Sequence, residues 1–343
     1  MKVDLTLLDK LCNAIGVSGG EEEVREIILN EIKDYVAEVR IDSMGNLIAR
    51  KSKSNEGKPR LLLDAHMDEV GFMIVNHDGD GFYTFQKVGG IDDRILPGLK
   101  VLIGQNKIPG VISSKPIHLA SPSERKNPIA FDGLKIDTGG NAAIEPGTRA
   151  GFGIKFRAND KTIFSKAIDD RIGVATLIQL AKQDYPNLDL FFTFTVQEEI
   201  GLRGAKVSAK AVNPHAAIVV DATPSYDQPT FDDQENTFYN TKLGQGPAIY
   251  TLDSGTLYDH RMINFFAKTA EAEGIKFQFR QPGGGGTNAG AIHLTNTGIP
   301  TISISIPHRS THSPISASRI TDWEGTLALI DAGLKKFHPT IVN

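Results

Sequence analysis

The chain has 343 residues, a formal net charge of -4, 40% hydrophobic and 23% charged residues, the profile of a globular protein long enough for one large domain and a smaller one. The acidic balance, with no basic block, sets nucleic acid and anionic membranes aside as main partners. The single cysteine, Cys12, lies in an apolar helical pattern and reads as core, no run of about 18 apolar residues occurs, and the acid-bearing start MKVDLTLLDKLCNAIG is unlike a signal peptide, so a cytoplasmic protein without disulfides is expected.

In chain order, residues 4–15 and 20–37 read as helices, the second with acids in its first turn, where the helix dipole favours them. EVRIDSMGNLIAR reads as a hairpin turning at Met-Gly-Asn, and PRLLLDAHMDEVGFMIV begins as a buried strand. From residue 70 to 163 the texture is glycine-dense, with hairpin signals at HDGDGF and GQNKIPG and no helical period, as in an inserted all-β module. Thereafter DDRIGVATLIQLAKQ is a helix, LDLFFTFTV and AAIVVDATP are strands, DHRMINFFAKTAEAEG is a helix, TISISIP is a strand and the C-terminus is a helix. Strands alternating with helices predict an α/β fold, a parallel or mixed sheet covered on both faces.

The strand ends carry the chemistry. In open α/β sheets ligands collect outside the carboxyl ends of the strands. Here LLLDAHMDE delivers His66, FFTFTVQEE delivers Glu198 and Glu199, AAIVVDAT delivers Asp221, and TISISIPHRSTHSP delivers His312, while Asp169 stands at a helix start. Each residue alone is an ordinary polar strand end; four strands ending this way in one domain point to a shared site. Glu198 and Glu199 are adjacent before a glycine, and neighbours in extended chain point to opposite faces, which suggests two separate tasks.

The succession HMDE, AIDDR, VQEEIGLRG, VVDAT, GGGGTNAGAI and IPHRSTHSP, with a β insertion between the first two, resembles the tetrahedral aminopeptidases over nearly the whole chain. These are cytosolic dinuclear metallopeptidases also called glutamyl aminopeptidases and, misleadingly, endoglucanases. The resemblance implies a zinc-peptidase-like catalytic domain from residues 1–69 and 164–343, a mixed sheet flanked by helices, and a small inserted β-barrel at 70–163 serving dimerisation and assembly. It implies that His66 and Asp221 bind one metal, Glu199 and His312 the other, that Asp169 bridges them, and that Glu198 is the catalytic base acting on a bridging hydroxide. It further implies a hollow dodecamer built from dimers, taking short peptides as substrates. His308 and Ser310 depart from the small polar and aromatic residues expected in that last motif.

Imidazole and carboxylate donors without thiolate suit two Zn²⁺ ions per subunit, with Co²⁺ or Mn²⁺ as substitutes. Asp68, two residues after His66, shares its face in extended chain and is expected to orient the imidazole alongside Glu198 in catalysis. Asp170 and Arg171 either hold the Asp169 loop or cap a helix. Thr287, Asn288 and Arg309 are candidate substrate contacts, the first two being equally compatible with a structural turn, and His118 reads as structural or as a subunit contact. The leading expectation is a metal-dependent aminopeptidase. A carboxypeptidase or deacylase on the same architecture is the second, and a non-catalytic scaffold, for which Glu198 has no use, the third.

Overall fold

The computed structural model describes residues 2–53, 57–140, 143–231, 234, 236 and 240–342. Helix α1 (Leu5–Asn13) starts where the Asp4 carboxylate accepts the Leu7 N–H and buries Leu7, Leu8, Leu11 and Cys12. Helix α2 (Glu22–Ile32) carries Glu22 and Glu23 in its first turn and ends five residues before the predicted limit, the chain turning at Tyr35. Strands β1 (Glu38–Ile41) and β2 (Leu47–Arg50) form the expected hairpin. Its turn is fixed by Asp42 Oδ1, which accepts the N–H groups of Met44, Gly45 and Asn46 at 2.9, 3.1 and 3.0 Å, with Gly45 at φ 99°.

Strand β3 (Arg60–His66) leads into six strands, β4 (Gly71–Gly79), β5 (Phe82–Val88), β6 (Lys100–Ile103), β7 (Ile108–Ser113), β8 (Lys135–Asp137) and β9 (Arg149–Phe152). They close into a barrel in the order β4-β5-β8-β7-β6-β9. The β4–β5 hairpin turns at Asp80 and Gly81, both at positive φ, as a two-residue loop between twisted strands requires. Phe72, stacked edge-on against Phe85 and Phe152, lies in the barrel's own core. The β-rich stretch 70–163 divides at this point. Strand β10 (Arg157–Ala158) and strand β11 (Thr162–Ser165) pair within the large sheet instead, because β11 aligns antiparallel with a strand near the C-terminus.

The remaining elements are α3 (Ile168–Ala181), β12 (Asp189–Thr195), α4 (Arg203–Val212), β13 (Ala216–Pro224), β14 (Ala248–Ile249), α5 (His260–Glu273), β15 (Gln278–Phe279), α6 (Ala289–Ile292), β16 (Thr301–Arg309), β17 (Ser316–Arg319) and α7 (Ile320–Lys336). Among the described residues the large sheet runs β1-β2-β12-β3-β13-β16-β17-β11-β10. Its centre, β12, β3, β13 and β16, is parallel, and its flanks are antiparallel. Alternation along β3 assigns the two cores: Leu61, Leu63 and Ala65 face a layer containing residues of α1, α2, α3, α5 and α7, and Leu62 faces α4 and α6. Burial on both faces explains why these strands read as unbroken apolar runs. Among the described residues no helix is long and apolar enough to cross a membrane.

Candidate active site

Four parallel strands put four carboxyl ends on one edge. In the β12–β3 register Thr195 is level with His66, and β13 follows β3 with Val219 opposite Asp64, which brings Asp221 level with His66 two residues on. Glu198 and Glu199 follow β12, His312 follows β16, and Asp169 enters from the start of α3, where it and Asp170 are non-helical and joined by a cis peptide.

Asp169 lies between two histidines. Its Oδ1 is 3.1 Å from His66 Nε2 and its Oδ2 is 3.8 Å from His312 Nε2. Asp221 Oδ1 stands 3.8 Å from His66 Nε2, and Glu199 Oε2 stands 3.1 Å from His312 Nε2. Each ring is held from behind by a backbone carbonyl: His66 Nδ1 is 3.1 Å from Asp68 O, and His312 Nδ1 is 2.8 Å from Gly90 O. A carbonyl only accepts, so each Nδ1 carries the proton and each Nε2 is free to act as a ligand.

The side chains alone are in electrostatic conflict. Burial pushes Glu198, Glu199 and Asp221 upward, and neighbouring carboxylates push further, Glu198 rising well above the ordinary range. Burial works to lower His66, but Glu198, Asp169, Asp221 and Asp68 overcome it and hold it well above the usual imidazole value. His312 rises to about 9 against its own burial because of Glu199 and then Asp169. Asp169, despite burial, is held down to about 2 by His66. Converging imidazole nitrogens and carboxylate oxygens that need positive charge fit divalent cations of the zinc type. Two such groups of close ligand atoms occur among the described residues, His66 with Asp169 and Glu199, and His66 with Asp170 and Asp221.

Asp68 stands behind the site. Its fully buried carboxylate accepts the N–H groups of Glu198 and Glu199 at 3.0 and 3.1 Å and the Ser18 hydroxyl at 2.5 Å. The carboxylate is 3.4 Å from His66 Nδ1, farther than Asp68's own carbonyl. The carboxylate therefore holds the glutamate loop while it and the Asp68 main-chain oxygen both face the His66 imidazole. Gln197 at φ 59° and Gly201 at φ 118° turn the chain on either side of the pair. Glu198 lines the cavity, and its carboxylate takes no hydrogen bond from any described residue.

Other expected residues fall elsewhere. Asn288 is buried and donates to Asp64 at 2.7 Å and Thr195 at 2.8 Å, tying β3 to β12 rather than reaching a substrate. Arg309 makes a two-pronged pair with Asp227, at 2.6 and 2.9 Å, and does not line the cavity. Thr287 does line it, bonded to Tyr258. Asp170 Oδ1 accepts the Gly173 N–H, an N-terminal cap, while its buried Oδ2 faces no hydrogen-bond donor among the described residues. Arg171 anchors the loop through Met67 O, Leu11 O and Glu69. His308 is buried, Ser310 turns at φ 61°, and His118 is exposed in a short turn of the barrel's long loop. Cys12 is buried, and burial raises its thiol to about 11, an inert core residue.

Sequence reading missed the buried network beneath the site. Lys166 Nζ donates to both Glu69 oxygens, at 2.7 and 2.8 Å, and to Ala14 O. The HMDE motif contained Glu69, but nothing local marks a partner 97 residues away. The cavity over the centre holds about 450 Å³, with His66, Glu198, Asp221, Tyr250, Arg280 and His312 in its wall. A larger cavity of about 610 Å³ lies between α2 and the barrel. It has no histidine in its wall, so the chemistry belongs to the smaller one.

Residues 45–329 match the family model described as M42 glutamyl aminopeptidase. The chain is 33% identical to a glutamyl aminopeptidase of Lactococcus lactis, covering 93% of each chain, and 31% identical to a lysyl aminopeptidase of Pyrococcus furiosus, covering 98% of each. Among solved structures it is similar to the Pyrococcus horikoshii TET1 peptidase, described as able to assemble into a tetrahedron or a large octahedral shell. That likeness has a TM-score of 0.84 at 34% identity and covers 97% of this chain and 99% of that one.

Proposed function

The chain belongs to the M42 glutamyl aminopeptidase family, and on that premise we propose a metal-dependent aminopeptidase that removes the N-terminal residue of short peptides at a dinuclear centre. The observation that carries the reading is the division of Asp169 between His66 and His312. His66 and Asp221 would hold one cation, Glu199 and His312 the other, with Asp169 on both; Asp170, grouped with His66 and Asp221, stands next to the first. Two bound divalent ions supply Lewis acidity and bring the pKa of water from about 15.7 to about 7, Zn²⁺ being the ion the donors suit, with Co²⁺ or Mn²⁺ as substitutes.

Glu198 is the general base. Its carboxylate faces the cavity without a hydrogen-bonding partner among the described residues, and burial with surrounding negative charge raises its proton affinity. It can take a proton from the attacking water and return it to the departing amine. Asp68 fixes its backbone, so the carboxylate moves little while it does so. Chains that carry the barrel would assemble as the resembling peptidases do, into a dodecamer built from dimers that admits short peptides.

A panel of aminoacyl chromogenic substrates, together with free and N-acetylated peptides, tests the reading after chelation and re-addition of single metals. Metal-restored release of the N-terminal residue from free but not acetylated peptides is the expected result. Release from the other end, or of the acyl group, favours the carboxypeptidase or deacylase reading instead.

A further inference from the structure

The start of α3 carries two adjacent acids, and only Asp169 has a task at the centre so far. Asp170 is fully buried. Its Oδ1 accepts the Gly173 N–H at 3.0 Å, which caps the helix that follows, but Oδ2 is buried and takes no hydrogen bond from any described residue. A buried carboxylate oxygen left without a partner is costly. The two buried bases nearest in the chain are engaged elsewhere: Lys166 Nζ donates to both Glu69 oxygens, and Arg171 donates to Glu69 and to the carbonyls of Met67, Leu11 and Gly16.

The carboxylate is also held where it is. A Cβ at position 173 would collide with both of its oxygens, so Gly173 leaves the space that Asp170 fills. Arg171, the next residue, is pinned through all three of its guanidinium nitrogens, which keeps Asp170 from swinging away in search of a donor. What lies beside it is the first half of the centre. Ligand-type atoms of His66, Asp170 and Asp221 fall within 4.8 Å of one another, and all three residues are buried. The group that contains Glu199 includes His66 and Asp169 but not Asp170. Two buried carboxylates as close as Asp170 and Asp221 repel one another unless positive charge stands beside them.

The geometry points to Asp170 as the residue that sets the affinity of the cation held by His66 and Asp221, by placing beside it a buried carboxylate that has no base of its own. This rests on the dinuclear reading and goes beyond it, because it makes the two cation positions unequal: the first has an additional carboxylate at its side that the second lacks. Groups that stand behind metal ligands in this way change affinity by about 10- to 100-fold. The competing role is a helix cap alone. Asn and Ser cap a helix as well as Asp does, so D170N and D170S keep the bond to the Gly173 N–H and remove only the charge.

The test is the affinity of the full chain for each Zn²⁺ ion after chelation, read by competition with a chromophoric chelator, in wild type, D170N, D170S, E199Q and the double variant D170N/E199Q. The expected result is that D170N and D170S weaken one ion by about 10- to 100-fold and leave the other as in wild type. E199Q weakens the other ion, so the double variant weakens both. Wild-type affinity for both ions in D170N overturns the proposal, since Asp170 is then a cap that carries no charge toward the cation. Equal loss at both ions in D170N, or a double variant weakened at one ion only, overturns it as well. If the wild type itself holds fewer than two ions at saturation, the dinuclear reading fails separately. The remaining ion then decides Asp170: weaker binding in D170N supports the assignment, and unchanged binding overturns it. Should D170N not fold, D170S gives the same decision.

Discussion

Glu198 and Glu199 are neighbours in sequence and have different surroundings. Glu199 Oε2 lies 3.1 Å from His312 Nε2, whereas the Glu198 carboxylate lines the cavity without a hydrogen bond from any described residue. Isosteric changes should therefore separate them. Glu198→Gln keeps size and polarity but cannot accept a proton, so metal content should hold while turnover falls by roughly 10² to 10⁴. Glu199→Gln replaces an anionic ligand with a weaker neutral one, so metal content should drop and activity should return in part at high metal concentration. Elemental analysis beside peptide turnover distinguishes the two. Metal loss in the first with retention in the second reverses the roles, and near-normal activity in both makes the pair a solvated strand end.

At the scale of elements, the start of α2 reaches into the site. Glu21, the residue before the helix, is 3% exposed, and its Oε1 accepts the N–H of Gly19 at 2.7 Å and of Gln197, next to Glu198, at 3.2 Å. Burial, then repulsion from Asp68, raises its pKa to about 7 from 4.5. A carboxyl whose folded pKa is raised binds protons more tightly in the native state, so its ionisation costs stability as pH rises from 4.5 through 7. Glu21→Gln keeps an acceptor and removes that cost. It should stabilise the protein at pH 8 by of order 3 kcal/mol, with the gain vanishing toward pH 4.5, as read by denaturant unfolding at several pH values. A gain independent of pH contradicts the assignment. The elements themselves were legible because their signals are local: unbroken apolar strands, the Met-Gly-Asn and Asp-Gly turns, and acids and histidines placed at strand ends. Side-chain direction was not, because distant partners set it. Asn288 turns inward to an Asp64 that lies 224 residues away, Arg309 is drawn to Asp227, and β11 is pulled from the insertion into the large sheet by β17.

At the scale of the whole molecule, the barrel and the site share a residue. Gly90, in the connection between β5 and β6, supplies the carbonyl behind His312, and Arg149 and Lys107 of the barrel region bond to Ser18 O and Glu23 near α2. The inserted module is thus fastened to the part of the chain that holds the centre, and assembly and metal occupancy belong in one experiment. Native mass spectrometry of the protein after metal loading counts both. The account predicts a particle of about twelve chains carrying about two divalent ions per chain, the pair that Asp169 would join. A single chain at full metal occupancy contradicts the proposed assembly, and chains of any number that retain fewer than two ions at saturating metal contradict the dinuclear centre itself.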